Sequence, residues 1–226
     1  MSAAAAKRGT ATFVAGYRGD ALLRAASLDS ALTHADPRCV AACVWYVATL
    51  ERAAAADAPE RFAEAVEGGL AALEEADVVG NLEALVAQVP RAWEAFQARW
   101  AGGRETIRAT VREALAGEHV DCRAAPPSAW PTGFVIDSLR QAVWAASQGA
   151  RADDALRLAV LHGGRDADTI GAIAGGLIGA RFGQRALEHW DLPELRLGHR
   201  WPGVGQGPFL EMLSALGRAN LPGAAR

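Results

Sequence analysis

Two carboxylates and a hydroxyl, Asp166, Asp168 and Thr169, stand within four consecutive residues of a 226-residue chain. An all-oxygen set of this kind suits a hard cation such as Mg²⁺, Mn²⁺ or Ca²⁺. The same residues also sit where a helix would begin. A first helical turn has free N–H groups and a positive dipole end, so either aspartate could instead be its cap. Just before them, His162-Gly163-Gly164-Arg165 forms a polar, glycine-broken turn. Arg165 is close enough to pair with Asp166 and compete with a cation, or to meet a phosphate together with Gly164. His162 is expected to be a satisfied structural histidine.

The segment that must position these oxygens follows them. From Ile170 to Gly183 its only charge is Arg181, and glycine recurs every fourth residue at Gly171, Gly175, Gly179 and Gly183. Positions four apart share a helix face. Each glycine costs roughly 0.8–1 kcal/mol relative to alanine, so helix propensity does not account for them. The expectation is a central helix whose Gly171/Gly175/Gly179 face lies against another helix backbone, with Ile170, Ile173, Leu177 and Ile178 filling the other buried directions. A Leu or Val at Gly175 would then separate packed backbones and be severely destabilising.

The stretch GGRDADTIGAIAGGLIGARFG resembles the C-terminal metal motif of the ADP-ribosylglycohydrolase family, which includes ADP-ribosyl-arginine and ADP-ribosyl-serine hydrolases and dinitrogenase-reductase-activating glycohydrolases. Three further stretches agree in order. SALTHADP, Ser30 to Pro37, is similar to the family's SxLTHxDP segment. Gly133-Phe134-Val135-Ile136-Asp137 with Ala142-Val143-Trp144-Ala145 is similar to its penultimate long helix, and His199-Arg200-Trp201-Pro202-Gly203 to a tail of bacterial members. The likeness covers roughly residues 10 to 205.

The resemblance implies a hydrolase that cleaves the N- or O-glycosidic bond between ADP-ribose and a modified side chain, assisted by two Mg²⁺ ions, with Mn²⁺ as a substitute. It implies metal ligands at Asp166, Asp168 and Thr169, catalytic roles for Asp166 and Asp168, and ligand contacts at His34, Gly164 and Arg165. His34 aligns with a position near the ADP-ribose phosphates. The implied partner is an ADP-ribosylated protein or a small ADP-ribose conjugate.

Two departures qualify the match. The family motif has Gly-Gly directly before its first aspartate, whereas Arg165 intervenes here. The family's N-terminal Gly-Asp-Ala-Leu-Gly turn and Thr-Asp-Asp motif are not in the chain. The chain is therefore expected to lack the family's N-terminal part and to hydrolyse poorly. Apolar surface left uncovered beside the Asp166 turn would favour a homodimer or call for the missing segment as a partner. The alternative is a non-catalytic remnant that binds ADP-ribose or serves only as a structural module.

Composition sets the frame. The formal charge is 23 − 26 = −3 with no basic run, which argues against a nucleic-acid surface. The longest uncharged apolar run, Ile170 to Ala180, is far below the roughly 20 residues needed to span a bilayer. Met1 to Ala6 is too short for a secretory h-region. A cytoplasmic protein with no membrane contact is the expectation. Cys39, Cys43 and Cys122 have too few soft ligands near them in sequence for a thiolate metal site and read as small buried residues.

Periodicity predicts an all-α, compact orthogonal multi-helix bundle in a single domain over 10–226, after a disordered start at 1–9. Asp20 is expected to cap a helix carrying Leu22, Leu23, Ala26 and Leu28 that ends near Thr33-His34. Asp36-Pro37 is a cap followed by proline at the first helical position, opening a helix to about Ala56 with Val40, Cys43, Val44, Val47 and Leu50 as its stripe. Further helices are expected after Pro59, around Leu82, after Pro90, over Ile107 to Leu115, from Thr132 and from Asp153. Gly102-Gly103 is expected to break the pattern between two of them.

Overall fold

The computed structural model describes residues 4–56, 58–86, 89–117 and 133–187. These residues form an all-α domain with no strand among them. In chain order the helices are α1 (Ala4–Val14), α2 (Gly19–Thr33), α3 (Pro37–Ala55), α4 (Phe62–Glu75), α5 (Val78–Val86), α6 (Pro90–Leu115), α7 (Val135–Ser147), α8 (Ala152–Leu161) and α9 (Ala167–Phe182), with 3₁₀ turns at Pro59–Arg61, Gly164–Asp166 and Gln184–Leu187. Among the described residues no helix is long and apolar enough to cross a membrane. The His199–Gly203 stretch and Cys122 lie outside the described residues.

The centre of the fold is α3, not the glycine helix. From Cys39 to Leu50 every α3 residue is buried. The run CVAACVWYVATL has no charge between Arg38 and Glu51, so the helix has no polar side to turn to water. It packs against α1, α2, α4, α6, α7 and α9. The sequence reading assigned it a single apolar stripe, and the two further sides were equally apolar. Its start is as expected: the Asp36 side chain accepts from the Arg38 N–H at 2.9 Å, and Pro37 occupies the first turn. Two of the buried polar side chains of α3 find partners, while the Thr49 hydroxyl has none among the described residues. Trp45 Nε1 donates to the Val66 carbonyl, and the Tyr46 hydroxyl donates to the Ile173 carbonyl at 3.2 Å while meeting the Thr10 hydroxyl at 2.8 Å.

Glycine acts differently from the every-fourth expectation. No atom of the described residues lies within 4 Å of a Cβ built at Gly175 or Gly179, and at Gly171 only Val160 is near, at 3.7 Å. Among the described residues that face makes no close helix contact. Close approach occurs at the next residue, Gly176, where a Cβ would collide with the Tyr46 hydroxyl. Gly102-Gly103 likewise does not break a helix: α6 runs unbroken from Pro90 to Leu115. A Cβ at Gly103 would come within 2.7 Å of Pro37 and 3.0 Å of its backbone carbon, so this glycine lets α6 lie on the start of α3.

From Ala4 the chain is helical, within the 1–9 stretch that read as a disordered start. Ala6 is in the core, and Arg8 pairs with Asp29 of α2 at 2.8 Å. Two expected caps shift by a residue or two. Asp20 and Asp153 stand inside the first turns of α2 and α8, whose N-caps are Arg18 and Arg151. There they still face the positive helix end.

The packing separates the glycines into two classes that denaturation can distinguish. Gly176→Ala and Gly103→Ala should each destabilise by about 1–3 kcal/mol, because buried neighbours must move. Gly175→Ala and Gly102→Ala should be neutral or stabilise by up to about 1 kcal/mol through helix propensity. Chemical unfolding of the four variants checks this. A loss at Gly175 as large as at Gly176 would restore the every-fourth face.

Candidate functional site

The Asp166 turn is built from two glycines with different duties. Gly163 is where the end of α8 and the start of α9 nearly touch, and a Cβ there would sit 2.7 Å from both the Ala159 carbonyl oxygen and the Ala167 Cα. Gly164 has φ +58°, the left-handed region that glycine enters without strain. Arg165 then lies within the Gly164–Asp166 3₁₀ turn, so it is accommodated as part of one tight turn before the first aspartate. The Arg165 side chain lies outside the described residues.

Asp166 occupies the N-cap position of α9 but makes no side-chain capping bond. Its carboxylate instead accepts from the Ser138 hydroxyl of α7 at 2.8 Å and lies 3.8 Å from where a Gly133 Cβ would be. The capping reading of Asp166 therefore fails, and the carboxylate is held from α7, half-buried. Asp168 is exposed, and Thr169 is largely buried. The far end of α9 is clamped by Arg181, whose guanidinium donates to the Ala146 carbonyl at 2.7 Å and to the Pro59 carbonyl at 3.1 Å and lies over the Phe182 ring. Ile170, Ile173, Leu177 and Ile178 are fully buried, as their spacing predicts.

A chain of contacts runs from Asp166 to the start of α3. Gly133 beside Asp166 precedes Phe134, the N-cap of α7. The Arg38 guanidinium lies 5.5 Å from the Phe134 ring centre and pairs with Asp36 at 3.0 Å. Burial alone would raise the Asp36 pKa, but hydrogen bonds from the Arg38 side chain and backbone outweigh it and hold the carboxyl below its ordinary range. A groove of about 470 Å³ adjoins this corner, lined by Asp36, Arg38, Arg99, Gly102 and Thr106. His34 stands two residues before Asp36, half-buried, its Nδ1 2.9 Å from the Thr33 hydroxyl.

A larger cleft of about 590 Å³ flanks α3 farther along, where Glu51 and Arg52 line it, roughly 21 Å from Arg38 at 1.5 Å per residue. Asp20, Glu51, Glu75 and Asp77 line it with Arg24 and Arg52, a net negative wall that disfavours a diphosphate.

The family model for ADP-ribosylglycohydrolase matches residues 3–204. The chain belongs to the ADP-ribosylglycohydrolase family. No curated protein and no solved structure matches it. Because the match runs from residue 3, the expectation that the family's N-terminal part is lacking is not borne out. The first helices agree with this, since α1 and α2 pack on α3 as integral parts of the domain.

Sequence reasoning missed Ser138, Gly133 and Arg38 as neighbours of the turn. Ser138 left one signal: it is a fully buried polar residue one position before Leu139 on the Val135/Leu139/Ala142 core face of α7. A hydroxyl on such a face needs a partner, and Asp166 is that partner. His162 is buried as expected, tilted against Trp144 at 5.5 Å, but it is not satisfied: its Nε2 has no hydrogen-bond partner among the described residues. Among the same residues no three His, Cys, Asp or Glu side chains form a metal-ligating group.

Burial lowers the pKa of His162, so the folded state favours the neutral ring. The unfolded chain takes up the proton first as pH falls. This part of the stability is fully present above about pH 6.5, the ordinary imidazole value, and declines below it until the lower folded pKa is passed. Urea midpoints at about pH 7.5 and 5 should show that loss in the parent and a smaller loss in His162→Gln. Equal pH dependence in both would contradict it.

Proposed function

We propose that this chain is an ADP-ribosyl glycohydrolase whose working site is the Asp166 turn at the start of α9. The observation that carries the reading is the Asp166 carboxylate. It sits at the cap position, makes no capping bond, and is held from α7 by the buried Ser138 hydroxyl, two residues before the exposed Asp168. The turn lies in a stretch that the family match covers.

The donor set fits a hard divalent cation: two carboxylates and the Thr169 hydroxyl, with the Ser138 hydrogen bond on Asp166 as an outer-sphere support. Asp166, Asp168 and Thr169 would hold Mg²⁺. When bound, that ion supplies orientation of the ribose hydroxyls and stabilisation of charge at the reacting centre. The residues of the chain do the rest. His34, Gly164 and Arg165 contact the ADP-ribose. Asp168 takes the proton of the attacking water as the water oxygen bonds to the anomeric carbon. The bond from that carbon to the side-chain nitrogen or oxygen breaks, and the leaving atom takes that proton from Asp168, which returns to its carboxylate form. The substrate is an ADP-ribosylated protein or small conjugate.

The test is release of free ADP-ribose from arginine- and serine-linked mono-ADP-ribosyl peptides, with Mg²⁺ and after chelation. The parent should release ADP-ribose from one linkage and stop on chelation. Asp168→Asn should lose at least about 10²-fold, and Ser138→Ala about 10–100-fold as an outer-sphere change. No release with either peptide would overturn the catalytic reading. If ADP-ribose still bound, the chain would be a binding module.

A further inference from the structure

His34 ends α2, and its ring is linked through Thr33 to a side chain of α1. The His34 backbone N–H donates to the Ser30 carbonyl at 2.7 Å. Its Nδ1 lies 2.9 Å from the Thr33 hydroxyl. That hydroxyl also accepts from Nη2 of Arg8 at 2.8 Å, across from α1. Arg8 cannot easily turn away. Its Nε meets both Asp29 carboxylate oxygens at 3.1 and 2.8 Å, and its Nη2 also donates to the Asp29 carbonyl at 3.1 Å.

The donors and acceptors among the described residues favour one direction. A guanidinium only donates, so Thr33 must be the acceptor in the Arg8 bond. The single hydroxyl hydrogen then needs an acceptor. Among the described residues the one in reach is Nδ1 of His34. If Nδ1 carried the proton, the Thr33 oxygen would receive two donors and its own hydrogen would have none of these residues to meet. With Nδ1 accepting, a neutral ring bears its hydrogen on Nε2.

We propose that Arg8 and Thr33 are positioning residues that hold His34 as the Nε2–H tautomer, a donor presented to an anionic oxygen of the ligand. That this oxygen is a phosphate of ADP-ribose rests on the function proposed above. The holding arrangement does not rest on it. The elements are far apart in sequence, so the contact also makes α1 part of the site: displacing Arg8 removes the constraint on a ring 26 residues later.

Long-range ¹H–¹⁵N correlation of the histidine rings in the whole labelled chain reads the tautomer directly, at about pH 8 to keep rings neutral, with His34→Gln assigning the signal. The parent should show a protonated Nε2 and a bare Nδ1 at His34. Thr33→Val, which keeps the shape and removes the hydroxyl, should move the ring to a tautomer mixture. Arg8→Met should move it part of the way, and Thr33→Ser should restore the parent spectrum. A thermal melt confirms that each variant is folded, and Thr33→Val decides the matter if Arg8→Met is not. ADP-ribose affinity should fall roughly 3–10-fold in Thr33→Val, the scale of one hydrogen bond, and return in Thr33→Ser. An Nδ1–H tautomer in the parent, or an unchanged ring in folded Thr33→Val, overturns the proposal. Absence of ADP-ribose binding by a parent with the expected tautomer would overturn the functional reading instead.

Discussion

The structure depends on covering one helix. α3 carries twelve consecutive residues with no polar side, Cys39 to Leu50, and so must be enclosed from all directions. Each buried Val, Leu or aromatic side chain of that run contributes about 1.5–3 kcal/mol when removed from water. Six helices meet this need, and their arrangement follows from it. Burial also suppresses the chemistry of what lies inside. It pushes the Cys43 thiol and the Tyr46 hydroxyl up to about 12 and the Cys39 thiol to about 11. These groups are structural. Charged side chains return where α3 emerges, at Arg38 and Glu51.

The start of α3 emerges at a corner shared with the starts of α7 and α9. Gly103 brings α6 onto Pro37, Arg38 reaches Phe134, and Gly133 passes under the Asp166 carboxylate. α9 is tied to the core at Tyr46 and at Arg181, so the turn in front of it stands on a fixed helix. Ser138 then aims Asp166 away from the cap position. The site inherits its rigidity from the covering of α3, and family membership supplies the chemistry expected there.

Much of this was legible in the sequence because the signals are local. Asp36-Pro37 marks a helix start through one side chain and one ring, and the start is where it should be. The buried set of α9 follows from spacing alone. What failed was non-local. Whether a glycine breaks a helix, lines a contact or faces open space is decided by the opposing element, so Gly102-Gly103 read as a break and Gly175 as a contact while Gly103 and Gly176 carry the close approaches. Ser138 meets Asp166 across 28 residues and Arg8 meets Thr33 across 25. No periodicity encodes those partners. The absence of two N-terminal motifs was a true observation, but the inference of a missing part did not follow from it: the family match runs from residue 3, and α1 and α2 are packed members of the fold.

The central claim is that the Asp166 turn, and not the larger acidic cleft farther along α3, is where a divalent cation and ADP-ribose come together. Anomalous scattering from crystals soaked with Mn²⁺ and ADP-ribose locates the ion without reliance on turnover. The account predicts a peak in coordinating reach of Asp166 and Asp168, with ribose oxygens beside it. A peak among Asp20, Glu51, Glu75 and Asp77 with the Asp166 turn empty, or ADP-ribose seated away from that turn, would contradict it.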